Sequence, residues 1–166
     1  MFGRSKVEKI LNKNFIDMLS AFLEENVEFM IVGAVAMAFH GYVRTTGDID
    51  FWIRISDENA DRVWRALKQF GAPAFDLEKR DLITSGMVFQ IGMPPNRIDI
   101  MNKIDGVEFE GSWPNRKIAV FGELKIPTIG KVELLINKRS TGRPKDQIDV
   151  LWLEKHPEVE NDQIRD

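Results

Sequence analysis

Two aspartates on alternate positions of an otherwise apolar run, Asp48-Ile49-Asp50-Phe51-Trp52-Ile53, restrict what this chain can fold into. Strand periodicity turns Asp48 and Asp50 to one face, with Cα atoms about 7 Å apart. Paired acids on a strand are often a solvated face, but the flanking Ile49, Phe51, Trp52 and Ile53 point to a buried sheet. Two like charges held close cost roughly 4 kcal/mol at 4 Å and an effective dielectric of 20. Buried carboxylates therefore need a cation or strong donors. A divalent cation would convert the repulsion into a binding site.

The residues before this strand supply a second constraint. Phe29-Met30-Ile31-Val32 reads as a short buried strand that breaks at Gly33. A small-residue helix follows over Ala34–Phe39, then a polar turn, Arg44-Thr45-Thr46-Gly47. Glycine at a strand-to-helix turn lets backbone approach a ligand closely, and the helix start offers unpaired N–H groups to phosphate.

The remaining pattern predicts an α+β fold, a mixed β-sheet flanked by helices with a helical C-terminal section. Apolar residues at three- and four-residue spacings predict one amphipathic helix over 6–25. Ser56-Asp57 supplies N-cap chemistry for a helix over about 58–70, and Gly71-Ala72-Pro73 stops it. Leu77–Ile83 suits a short helix. Met87–Ile91 and Arg97–Met101 read as strands close enough to pair as a hairpin. Val107 and Phe109 suggest a short strand; Lys117–Phe121 and Leu124–Ile126 suggest two more, with Pro127 opening a helical regime. There, Ile129–Asn137 suits a helix with Val132, Leu135 and Ile136 inward. A last helix from Pro144 or Lys145 to Lys155 would bury Ile148, Leu151 and Trp152, and the acidic tail to Asp166 would fray. The expectation is a single domain over 1–166, its sheet within about 26–126 and its helical section within about 127–156.

Composition excludes several classes of chemistry. The chain has no cysteine and two histidines, His40 and His156, which removes disulfides, thiolate zinc sites, cysteine nucleophiles and multi-histidine metal sites. A net charge of −3 gives no global positive field for nucleic acid. No apolar run approaches the roughly 20 residues of a membrane span, and the N-terminal residues lack a signal-peptide core. A cytoplasmic protein is the expectation. His40 reads as packing or a turn donor. The four tryptophans read as core, with Trp113, in a Gly/Pro-rich loop, also placed to contact a base.

Two further features complete the candidate site. Asp99 lies among Arg97, Ile98, Ile100 and Met101 on a later strand, with Arg97 on the same face as an available salt-bridge partner. With Gly33 and the Asp48/Asp50 pair, it fits a two-metal phosphoryl-transfer site. Asp48 and Asp50 would bind both ions, and Asp99 would join the one that activates the attacking hydroxyl and accept its proton. The second feature is a basic, turn-rich segment containing Lys138, Arg139, Arg143 and Lys145. It would either hold phosphate or form a solvated turn paired with Glu133, Asp146 or Asp149. Arg44 would bind phosphate or fix Asp48. Asp146 and Asp149, neighbours at i, i+3 on a helix, would orient Lys138 or Arg44.

Gly33-Ala34, about a dozen residues, Asp48-x-Asp50 and a separated Asp99 resemble the motif of the DNA polymerase beta-type nucleotidyltransferase superfamily. Arg44-Thr45-Thr46-Gly47-Asp48-Ile49-Asp50, with Lys138, Arg143, Lys145, Asp146 and Asp149, is similar to small bacterial AbiEii-like members. The resemblance implies magnesium-dependent nucleotidyl transfer from a nucleoside triphosphate such as ATP. The acceptor would be an RNA end, a protein or a small molecule, and toxin relatives work beside an antitoxin protein. The triphosphate would lie on Gly33, Ala34, Arg44, Lys138, Arg143 and Lys145. Position 34 departs from the family pattern, because alanine stands where serine or glycine is usual and offers phosphate only its N–H. That departure keeps open a catalytically silent nucleotide- or protein-binding module of the same fold.

Overall fold

The structure is a computed structural model that describes residues 7–73 and 76–159. Residue 6, the tail from 160 onward and part of the 74–86 segment therefore lie outside the described residues. Six strands, β1 (Phe29–Val32), β2 (Asp48–Ile53), β3 (Val88–Ile91), β4 (Arg97–Met101), β5 (Lys117–Phe121) and β6 (Leu124–Thr128), form one sheet in the order β3-β4-β2-β1-β6-β5. The sheet is mixed: β2 runs parallel to β4 and β1 parallel to β6, and the other neighbours are antiparallel. Helices accompany it: beyond a helical stretch at residues 7–10, these are α1 (Lys13–Glu24), α2 (Gly33–Phe39), α3 (Asp57–Phe70), α4 (Phe109–Ser112), α5 (Lys131–Thr141) and α6 (Pro144–Lys155). The architecture is α+β with helices at the C-terminal end, as the sequence pattern predicts.

Strand register separates the two faces of the sheet. Phe29, Ile31, Ile49, Phe51, Ile53, Ile98 and Ile100 share one face through the pairings of β1, β2 and β4. α1 packs on that face, and its Phe22 ring lies 5.3 Å from Phe29 and 4.8 Å from Phe51 between centroids. α1 and α3 also contact each other. The opposite face carries Asp48, Asp50 and Trp52 on β2 and Arg97, Asp99 and Met101 on β4. One face is thus committed to the core, which leaves the other free to carry charge.

Local details depart from the sequence pattern at identifiable points. The single helix expected over 6–25 is broken at Leu11 and Asn12, because the Asn12 side chain accepts from the Phe15 N–H and restarts the helix as α1. Phe109 opens the short helix α4 instead of joining a strand. Pro127 lies inside β6, so the sheet runs to Thr128. α5 buries Leu134, Asn137 and Lys138 and exposes Val132 and Ile136; α6 buries Asp146, Asp149 and Leu153 and exposes Ile148 and Leu151. Of the residues expected inward on these two helices, Val132, Ile136, Ile148 and Leu151 are therefore turned outward, while Leu135 and Trp152 are partly buried against the core. The face the two helices share is built on an ion cluster, which satisfies each buried charge with its opposite.

Elsewhere the pattern is followed. The Ser56 hydroxyl caps α3 by accepting from the Asn59 N–H, and left-handed Gly71 ends that helix. β3 and β4 pair antiparallel as the expected hairpin. His40 Nε2 donates to the Ile129 carbonyl at 2.7 Å, a packing contact. Trp113 stacks on Phe109, and the Arg116 guanidinium lies 3.8 Å from its ring centroid. Among the described residues no helix is long and apolar enough to cross a membrane.

Truncating Phe22, fully buried between Phe29 and Phe51, is expected to cost about 3–5 kcal/mol. Urea denaturation of Phe22→Ala measures this, and a loss below about 1 kcal/mol would contradict the packing described.

Candidate metal centre and phosphate cleft

Parallel pairing of β2 with β4 sets Asp50 opposite Asp99 and Asp48 opposite Arg97. Side chains matched in this way stand on the same face, so Asp99 meets the sequence-distant pair Asp48 and Asp50 near the starts of two strands. Each offers a carboxylate oxygen, and these oxygens lie within 4.8 Å of one another. An all-oxygen set of this kind suits magnesium or manganese.

The three acids sit in different surroundings. Asp99 is buried and accepts from Arg97 Nε at 3.0 Å and Arg97 Nη2 at 3.1 Å. Asp48 accepts from Arg97 Nη2 at 2.7 Å and from the Thr46 hydroxyl at 3.0 Å. Asp50 packs against Gly33, where an added Cβ would come within 2.1 Å of Asp50 Oδ2. Gly33 also holds φ at +70°, a conformation that strains other residues. Glycine is thus required at position 33 to make room for a carboxylate as well as to turn the chain. Burial, followed by the charges of Asp48 and Asp99, pushes the Asp50 carboxyl up from 3.8 to about 8, against a lowering influence of Lys138.

Cations line the same cleft as the acids. A cleft of about 690 Å³ is lined by Gly33, Ala34, Arg44, Asp48, Asp50, Asp99, Lys138, Arg143, Lys145 and Asp146, among others. The site residues expected from the sequence therefore converge here, except Asp149, which lies behind Lys138. Lys138 is 5% exposed, and its ammonium is held by Asp146 at 3.1 Å and Asp149 at 2.9 Å. Asp146 also accepts from Thr141 and from Arg143 Nε, and Asp149 pairs with Arg44 Nη2 at 3.1 Å. Burial alone would raise the Asp146 pKa, but hydrogen bonds from Thr141 and Lys138 and the Lys138 charge outweigh it and lower it.

Lys138 and Arg143 pair with Asp146, and Lys138 also with Asp149, as the ion-paired alternative for the basic segment expects; Lys138 is buried, while Arg139, Arg143 and Lys145 are exposed, and Glu133 accepts from Asn115. Arg44 fixes Asp149, while Thr46 and Arg97 fix Asp48. Arg139 turns away to Glu154. Lys103, Asn137 and Thr141 also line the cleft and were not expected from the sequence. Lys103 had a readable signal, since Arg97, Asp99, Met101 and Lys103 continue one alternation along β4 and past its end. Asn137 and Thr141 carry no such signal, because their placement depends on how α5 meets α6.

Two outcomes test this geometry. Gly33→Ala is expected to destabilise by about 1–3 kcal/mol and to weaken divalent-cation binding by displacing Asp50, measured by chemical denaturation and manganese titration. The second concerns pH. An acid whose folded pKa lies above its unfolded value binds a proton preferentially in the folded state, so stability falls as pH rises between the two values. The chelator-treated protein should therefore lose melting temperature as pH rises from about 4 toward about 8. Asp50→Asn should flatten that fall, whereas an unchanged slope would contradict the assignment.

Neither a scan against models of known protein families nor a search of curated proteins finds a match for this chain, so the chemistry of the cleft is argued from its geometry.

Proposed function

We propose that the protein is a magnesium-dependent nucleotidyltransferase, resembling in its motif the DNA polymerase beta-type superfamily and its AbiEii-like members. The observation that carries this reading is the convergence of Asp48, Asp50 and Asp99 within 4.8 Å, in a cleft also lined by Lys138, Arg143 and Lys145. Carboxylates and cations sharing one cleft match the two needs of phosphoryl transfer, a held divalent cation and a neutralised polyphosphate. A cleft of about 690 Å³ falls within the range of small-molecule sites.

Asp48, Asp50 and Asp99 would hold magnesium, as one ion or two, and it would supply charge stabilisation at the transferring phosphate. The residues of the chain do the remaining work. Asp99 accepts the proton of the acceptor hydroxyl as its oxygen forms a bond to the α-phosphorus. The bond from that phosphorus to the pyrophosphate oxygen breaks, and the electron pair leaves on pyrophosphate. Lys138, kept rigid by Asp146 and Asp149, meets the charge that develops there, together with the exposed Arg143 and Lys145. Gly33 and Ala34 present backbone to the phosphates at closest approach, and Arg44 flanks them. A cytoplasmic setting belongs to this proposal; among the described residues no helix is long and apolar enough to cross a membrane.

One observation favours a second reading, a catalytically silent nucleotide- or protein-binding module. Position 34 is alanine, so the cleft lacks a hydroxyl donor at the turn after β1. Incubation with each labelled nucleoside triphosphate and magnesium, with RNA, protein extract or small hydroxyl compounds as acceptors, separates the two. The wild type should transfer label to one acceptor class, and Asp50→Asn should lower transfer at least about 100-fold. Absence of transfer to every acceptor, together with a rise in melting temperature from a partner protein but not from nucleotide and magnesium, would favour the silent module.

A further inference from the structure

Among the described residues, the basic side chain that hydrogen-bonds to the acid triad comes from its own strand. Arg97 reaches Asp48 at 2.7 Å and both oxygens of Asp99 at 3.0 and 3.1 Å. These are the oxygens that a divalent cation would need. Of the other cations that line the cleft, Lys138 and Arg143 are held by Asp146, and Arg44 by Asp149. Lys138 is also buried, whereas the Arg97 side chain is 29% exposed and opens onto the cleft.

We propose that Arg97 is a built-in competitor of the divalent cation, holding Asp48 and Asp99 together in its absence and leaving them when it binds. This rests on the cation-dependent reading given above.

Charge and geometry both support it. A guanidinium bridging two carboxylates occupies their lone pairs in a planar, bidentate contact, and the same lone pairs cannot also coordinate metal. Asp50 is the acid that Arg97 does not bond, so the guanidinium bridges the other two carboxylates and leaves this one facing the cleft. Arg97 once released remains tethered to β4 beside the same cleft, where its charge faces incoming phosphate. The arrangement sets cation affinity below that of three free carboxylates, and it makes anionic substrate and cation bind cooperatively, because the phosphate attracts the group the cation must displace.

Manganese titration followed by the electron paramagnetic resonance signal of the free ion tests this on chelator-treated full-length protein. Arg97→Gln should bind manganese at least about tenfold more tightly than wild type. It should also melt at lower temperature without metal and regain the difference at saturating manganese. Arg97→Lys, which keeps the charge but loses the bidentate contact, should fall between the two and decides the matter if Arg97→Gln does not fold. Wild-type binding with equal or weaker binding by the folded Arg97 variants would overturn the competitor role and leave the metal centre standing. Absence of manganese binding by wild type and variants alike would overturn both.

Discussion

The parallel pairing of β2 and β4 sets Asp50 beside Asp99, and strand alternation sets Asp48 on the same face. Three carboxylates within 4.8 Å repel one another, and the surrounding structure answers that repulsion at each acid separately. Arg97 bridges Asp48 and Asp99, Thr46 donates to Asp48, and Asp50 sits against the bare Cα of Gly33 with a raised pKa. The arrangement is stable only because the other face of the same strands is fully apolar and anchored by α1. The sheet thus stores electrostatic tension on one face and offsets it by packing on the other.

A second buried cluster determines how the C-terminal helices meet the sheet. Lys138 lies between Asp146 and Asp149, with Arg44 and Arg143 completing the charge balance. Removing one partner of such a buried group typically costs 3–5 kcal/mol, roughly, because the remaining charge is stranded. The cluster joins α5 to α6 and, through Arg44, ties both to the loop leading into β2. Its ion pairs hold Lys138 and Arg143 where they line the cleft shared with the acids. Asp149 Oδ1 is buried without a hydrogen-bond partner, which makes this the more strained half of the cluster.

The sheet and its acids were legible because strand alternation is a local signal. Apolar residues at 49, 51 and 53 announce one buried face, and acids at 48 and 50 then fall on the other. Gly33 was readable as a turn, but its role in accommodating Asp50 depends on β1–β2 register, which no local pattern contains. The C-terminal helices were legible as helices and misread in orientation. Ile148 and Leu151 look inward-facing by hydrophobicity, yet Asp146 and Asp149 are the buried residues, because Lys138 compensates them from another helix. A hydrophobic period cannot report that compensation. Arg97 was readable as a partner of Asp99 through their shared strand, while its bond to Asp48 arises only from the pairing of β2 with β4.

The account depends on a divalent cation being held by Asp48, Asp50 and Asp99. Anomalous diffraction from crystals soaked in manganese tests this most directly. The expected result is an anomalous peak at about 2.1 Å from oxygens of the three carboxylates, with the Arg97 guanidinium withdrawn from Asp48 and Asp99. A map at saturating manganese without such a peak, and with Arg97 still bridging the two acids, would contradict it.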